Sequence, residues 1–138
     1  MRHDWTLLCA EVTYPPQGSI ALRNVVTAFT VAERYRKLQS EIVLSLDDLP
    51  VWIVSQWTAE FKADRKLHSG VLQLLAPGGE RDWRDYIREF DFRDRRVFRM
   101  IHRVPDITFV GLGTYEFHVV LEEFASVGEW GRACVILR

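Results

Sequence analysis

Four histidines, His3, His68, His102 and His118, are the side chains of this 138-residue chain best suited to proton transfer or metal ligation. A metal centre would betray itself by spacing such as HxH or HExxH, or by a CxxC pair nearby, and none of these occurs. Each histidine is therefore expected at the surface or partly buried. A Ser/His/Asp triad assembles from distant positions, but no GxSxG elbow marks its nucleophile. "PGGE" at 77–80 lacks the GK[ST] of a phosphate loop, and "GLGT" at 111–114 precedes a strand pattern, so both read as turns. Asp47 with Asp48 and Asp91 with Asp94 are acid pairs in expected loops, without the Asp/Asn/Gly density that gathers calcium. Of the five tryptophans, Trp5, Trp52, Trp57, Trp83 and Trp130, most are expected in the core and rim, with Trp57 and Trp130 exposed near strand ends. The sequence thus points to no catalytic, cofactor-binding or metal-ligating residue, and leans away from an enzyme.

A different chemistry is concentrated in "ERDWRDYIREFDFRDRRVFRMIHR", Glu80 to Arg103, with eight arginines and six carboxylates. From Arg93 to Arg103 there are five arginines, Arg93, Arg95, Arg96, Arg99 and Arg103, against Asp94 alone. The segment carries +4 in a chain of net charge −1, so the remainder holds −5. The planar guanidinium fork suits carboxylate, phosphate and aromatic partners. Three uses of these arginines stand open: protection of an edge strand or pairing to the acidic remainder, a surface for another protein, or a phosphate-binding stripe for nucleic acid.

The near-neutral total gives no global field to attract nucleic acid or an acidic membrane. The apolar stretch in "MRHDWTLLCAEV" is too short for a signal peptide, and no run of about 18 apolar residues suggests a membrane helix. A cytoplasmic bacterial protein is the default expectation. Cys9 and Cys134 each lie in an apolar stretch and read as reduced core thiols, with a terminal-strand disulfide as the alternative. At this length one domain, residues 1–138, can bury roughly 68% of its unfolded surface.

The elements that must position these groups are mostly extended. Trp5 to Val12 reads as a first strand, "YPPQGS" as a turn, and Ile20 to Phe29 as the hairpin partner. Thr30 and Glu33 have capping-box spacing, and Val31, Tyr35 and Leu38 share a helical face. "LPVWIVSQWTAEF" carries a central strand, Val71 to Ala76 a further one, and Arg132 to Leu137 the last. In "GTYEFHVVLEE", Tyr115, Phe117, Val119 and Leu121 occupy one face, and Glu116, His118 and Glu122 share the other with Val120. For Glu80 to Phe90 the spacing of Trp83, Tyr86, Ile87 and Phe90 predicts a helix with a charged outer side. Beyond it, alternation sets Arg96, Phe98, Met100 and His102 on one side and Arg95, Val97, Arg99, Ile101 and Arg103 on the other. Turn-separated strands without regular strand–helix alternation predict a mainly β fold, an antiparallel β-sandwich of roughly seven or eight strands with one or two short helices.

In motif order the chain resembles an uncharacterised bacterial family of small domains of unknown function. The similarity lies in "LLCAEV", "SIALRNVVTAF", "LPVWIV", "LQLLAPGGE" and "PDITFVGLGTYEFHVVLE", and departs in the Ala32 to Asp48 connection and the arginine-rich segment. The resemblance implies a β-sandwich-like fold and transfers no activity or site residue. The expected function is a non-enzymatic protein-interaction or assembly module, acting on another protein or by self-association. Arg93, Arg95, Arg96, Arg99 and Arg103 are its expected partner-binding residues. The alternative is an accessory nucleic-acid-binding domain using the same segment 93–103.

Overall fold

The structure is a computed structural model that describes residues 1–14, 19–30, 42–44, 51–79, 81–104, 107–109, 111–127 and 130–138. Strands β1 (Arg2–Thr13), β2 (Ala21–Val25), β3 (Ala28–Phe29), β4 (Ile42–Leu44) and β5 (Trp52–Thr58) come first. They are followed by β6 (Leu67–Leu75), β7 (Arg81–Asp91), β8 (Val97–Arg103), β9 (Ile107–Phe109), β10 (Gly113–Leu121) and β11 (Trp130–Leu137). Helical geometry among the described residues is confined to two 3-10 turns, Lys62–Asp64 and Glu122–Val127. One sheet has the order β2-β1-β5-β8, a second β3-β11-β10-β6-β7, and β4 pairs with β9 in a short ladder. The fold is mainly β and sandwich-like, and among the described residues every pairing is antiparallel except β3 with β11.

One core lies between the two larger sheets. Leu8, Ile53, Trp57 and Met100 reach it from the first sheet, and Leu72, Leu74, Phe90, Tyr115, Phe117, Val119, Leu121, Val135 and Leu137 from the second. On β10 the expected face is the buried one, because residues two apart along a strand point the same way. Strand β11 alternates without a break, Gly131, Ala133, Val135 and Leu137 in and Trp130, Arg132, Cys134 and Ile136 out. Aromatic edges stitch the layers: Trp57 meets Phe90 at 6.4 Å, and Phe98 meets Phe90 and Phe92 at 5.5 and 5.6 Å between ring centres.

One close approach sets the spacing of the layers. At Gly131 a Cβ would fall on Thr6 Oγ1 and come within 3.0 Å of His3 Nε2 and Ser55 Oγ. Those atoms form a hydrogen-bonded chain: His3 Nε2 to Thr6 Oγ1 at 2.7 Å, Thr6 to Ser55 Oγ at 2.7 Å, and Trp57 Nε1 donating to Ser55 Oγ at 2.8 Å. Polar groups taken out of water are thereby partnered, and a bare backbone on β11 leaves them room. Within the second sheet, Gly70 on β6 leaves room for the Phe90 ring of neighbouring β7, which would lie 2.6 Å from a Cβ there.

Several sequence expectations are corrected. Residues 81–91 form β7, not a helix, paired along β6 from Leu75↔Arg81 to Leu67↔Asp91. The register shifts at His68/Gly70 and at Leu74/Leu75, so β7 gains residues relative to its partner. Apolar residues three and four apart in the sequence then arise from a bulged strand, which imitates helical spacing. The span Ile20 to Phe29 is two strands in different sheets, with Asn24 at φ 55° in the first and β3 running parallel to β11. Cys134 is exposed, since strand alternation carries it to the outer side opposite Glu116; Cys9 is buried as expected, and both thiols are free. Trp57 is wholly buried because it follows Ile53 and Ser55 on the inner face, whereas Trp130 is exposed. His68 is also fully buried, against the expectation for a histidine of this chain. The expected helix around Thr30 to Leu38 and the Asp47/Asp48 pair lie outside the described residues.

Candidate interaction site

Strand pairing brings together two stretches that are about thirty residues apart. Because β5 and β8 are antiparallel neighbours ending at Thr58↔Val97, the chain leaving β5 and the chain arriving at β8 meet at one end of the sandwich. Both stretches cross between the sheets, from β5 to β6 and from β7 to β8. Ala59 N donates to Arg96 O at 2.8 Å, and Phe92 N donates to Lys66 O at 3.1 Å, which locks the two connections side by side. Between them opens a groove of about 590 Å³ lined by Glu60, Phe61, Lys62, Arg65, Arg93 and Arg96. Connections at the end of a rigid sandwich are where binding residues are commonly carried.

The 59–66 connection is held from beneath by Asp64. Its carboxylate accepts hydrogen bonds from the Met1 amine at 2.7 Å, from Phe61 N at 3.1 Å and from Glu60 N at 3.2 Å. Burial alone would raise this carboxyl, but those donors outweigh it and hold it below the ordinary aspartate value. His68 Nε2 lies 2.8 Å from Asp64 O, and a carbonyl only accepts, so that nitrogen carries the hydrogen. The His68 ring is packed by Phe92 and Phe124, with centres at 5.7 and 5.6 Å. The acid of the turn is thus consumed inward, while Lys62 and Arg65 stay exposed.

All five sequence-predicted arginines are exposed, but they do not form one compact patch. Arg93 and Arg96 line the groove. Arg93 also grips Asp91 with two bonds, Nε at 2.9 Å and Nη2 at 2.7 Å, which pull the Asp91 carboxyl down to about 2. Arg95 stands 5.9 Å from the Phe98 ring centre. Arg99 and Arg103 belong to the outer side of β8, with Val97, and Arg99 Nε donates to Gln56 Oε1 at 2.9 Å. The expected alternation from Phe98 to Arg103 is present, and β8 is the last strand of its sheet.

No family model, curated protein or solved structure matches this chain. The site therefore rests on its own geometry. The four histidines stand apart from one another in function: His3 bonds Thr6, His68 supports the 59–66 turn, His102 lies 3.4 Å from Asp85, and His118 bonds Glu116 at 2.8 Å. His118 stacks on Trp130 at 5.6 Å, and Arg132 from the neighbouring strand donates to the other Glu116 oxygen. That cluster is a cross-strand ion-pair ladder on the outer face of the second sheet. Among the described residues no three His, Cys, Asp or Glu side chains gather as a metal site, and no helix is long and apolar enough to cross a membrane.

Sequence reasoning missed Phe61, Lys62 and Arg65. The signal was the short basic run "KADRK" from Lys62 to Lys66, but only the β5–β8 pairing places it beside Arg93 and Arg96.

Proposed function

We propose that the protein is a non-enzymatic interaction module that docks an acidic surface of another protein, or of a second copy, through the cations around segment 93–103. The observation that carries this is the basic groove itself, where two connections locked by backbone hydrogen bonds converge Lys62, Arg65, Arg93 and Arg96 at one end of the sandwich. Exposed pairs within a domain contribute under about 1 kcal/mol, whereas arginine at an interface can contribute about 2 kcal/mol or more. Arg93 is engaged by Asp91 and Arg99 by Gln56, so the contribution to recognition is expected chiefly from Lys62, Arg65 and Arg96. In this reading the protein acts in the bacterial cytoplasm, and the resemblance to the uncharacterised bacterial family is a proposal about kinship that assigns no activity.

Sedimentation velocity at several protein concentrations, and anisotropy with a fluorescein-labelled acidic peptide, test this proposal. Replacing Arg93, Arg95, Arg96, Arg99 and Arg103 together by glutamine is expected to weaken self-association or peptide binding at least about tenfold. Unchanged association and binding in that variant would contradict it. The second reading, nucleic-acid binding, is favoured by the same cations beside an exposed phenylalanine, a combination that can hold phosphates and stack a base. It requires affinity for a single-stranded oligonucleotide that falls steeply with salt.

A further inference from the structure

We infer that the groove's occupant is a short acidic peptide segment carrying an aromatic side chain, with its carboxylates against Lys62, Arg65 and Arg96 and its ring on Phe61. This rests on the docking role proposed above and assigns it a place, a ligand chemistry and three residues outside the arginine segment. The lining holds +4 from Lys62, Arg65, Arg93 and Arg96 and −1 from Glu60, a sum of +3. The whole chain carries −1, so everything outside the groove sums to −4. Glu60 lies 3.8 Å from the Met1 amine, and Asp91 engages Arg93. Among the ion pairs of the described residues none involves Lys62, Arg65 or Arg96. Like charges held around one concavity repel one another, and an anion placed among them relieves that repulsion. Guanidinium forks match carboxylates in geometry as well as charge.

Phe61 supplies the apolar half of the recognition. It is 68% exposed, while its backbone N–H is fixed by Asp64, so the ring is presented from a held turn. Covering such a ring with another aromatic side chain removes apolar surface from water and adds an edge or stacked contact.

The same geometry disfavours a long polyanion. A cleft of about 590 Å³ has the size of a small-ligand site. Glu89, Asp91 and Asp94 all act on Arg93 from its surroundings. An oligonucleotide continuing past the groove would meet these carboxylates and the acidic remainder of the chain, whereas a short peptide ends before them.

The experiment uses fluorescein-labelled acidic peptides, one with a central tyrosine and one with alanine in its place, and a single-stranded oligonucleotide of equal charge. The proteins are the parent chain, Lys62→Ala/Arg65→Ala, Phe61→Ala and Arg99→Ala/Arg103→Ala, all altered at exposed side chains. Lys62→Ala/Arg65→Ala is expected to weaken the tyrosine peptide at least about tenfold, and Arg99→Ala/Arg103→Ala less than about twofold. Phe61→Ala should weaken the tyrosine peptide by about fivefold or more and leave the alanine peptide unchanged. If Arg99→Ala/Arg103→Ala abolishes binding while Lys62→Ala/Arg65→Ala does not, docking occurs on the outer side of β8 and the groove assignment fails alone. If the parent binds neither peptide at about 1 mM and stays monomeric, the groove and the docking role fail together. Tighter binding of the oligonucleotide than of the tyrosine peptide overturns the peptide assignment in favour of nucleic acid.

Discussion

Replacing Gly131 with alanine tests how closely the two sheets approach. The added Cβ falls on Thr6 Oγ1 and lies 3.0 Å from both His3 Nε2 and Ser55 Oγ, side-chain atoms that are tied together through Thr6 by hydrogen bonds. Overpacking of this kind costs about 1–3 kcal/mol, and displacing Thr6 also endangers its two hydrogen bonds at about 1 kcal/mol each. The expected loss is about 2–4 kcal/mol, a large part of the 5–15 kcal/mol by which a domain is typically stable. With an unfolding entropy of about 2.1 cal/mol/K per residue, roughly 0.29 kcal/mol/K for a chain of this length, 3 kcal/mol lowers Tm by about 10 °C. Thermal unfolding followed by circular dichroism reads this directly. Thr6→Ala removes the oxygen that the new methyl strikes, so the double variant should lose about 1 kcal/mol less than the sum of the single losses. A Gly131→Ala protein with unchanged Tm would refute the close approach of β1 and β11, and strict additivity would refute Thr6 as the obstacle.

Other consequences can be checked with the same purified protein. Phe117→Ala removes a fully buried ring between β6 and β11 and should cost about 3–5 kcal/mol in a denaturant titration; a neutral result would place the buried face of β10 wrongly. A thiol reagent should label Cys134 in the native protein and Cys9 only after unfolding, because Cys9 is buried and burial pushes its thiol up; labelling of both at equal rates would contradict the placement of β1. The Asp64 carboxyl is held below its ordinary value of 3.8, so it binds fewer protons folded than unfolded. Its stabilising effect is fully present above the unfolded value and fades as pH falls through the lower folded one. Asp64→Asn should therefore be less stable than the parent at neutral pH and approach it in acid, and a constant difference down to about pH 2 would argue against that role.

The strands whose two sides face different surroundings were the most legible in the sequence. Tyr115, Phe117 and Val119 alternate with Glu116 and His118 because one side of β10 meets the core and the other is more open, and only at Val120, buried on that other side, does the pattern lapse. Trp52 to Thr58 was readable as a central strand, although it carries buried residues on both sides. The 81–91 strand resembles a helix in sequence because its bulges against β6 break the two-residue period over eleven residues. The division of Ile20 to Phe29 between sheets depends on where β11 lies, which local sequence does not encode. Of the groove's lining residues, Arg93 and Arg96 were visible as part of an arginine-rich run. The rest was hidden because Phe61, Lys62 and Arg65 become its neighbours only when β5 pairs with β8. Arg99 and Arg103 are near Arg93 and Arg96 in sequence, yet they lie along β8, whereas Arg93 and Arg96 precede it in the connection that lines the groove.

The most direct measurement is a titration of ¹⁵N-labelled protein with the unlabelled acidic peptide bearing tyrosine, followed by amide chemical shifts. Saturable shifts should concentrate at residues 59–66 and 92–96, the two connections that line the groove, and should be lost on substituting Lys62 and Arg65. Shifts centred instead on Val97 to Arg103, or spread weakly over the whole surface without saturation, would contradict the groove as the docking site.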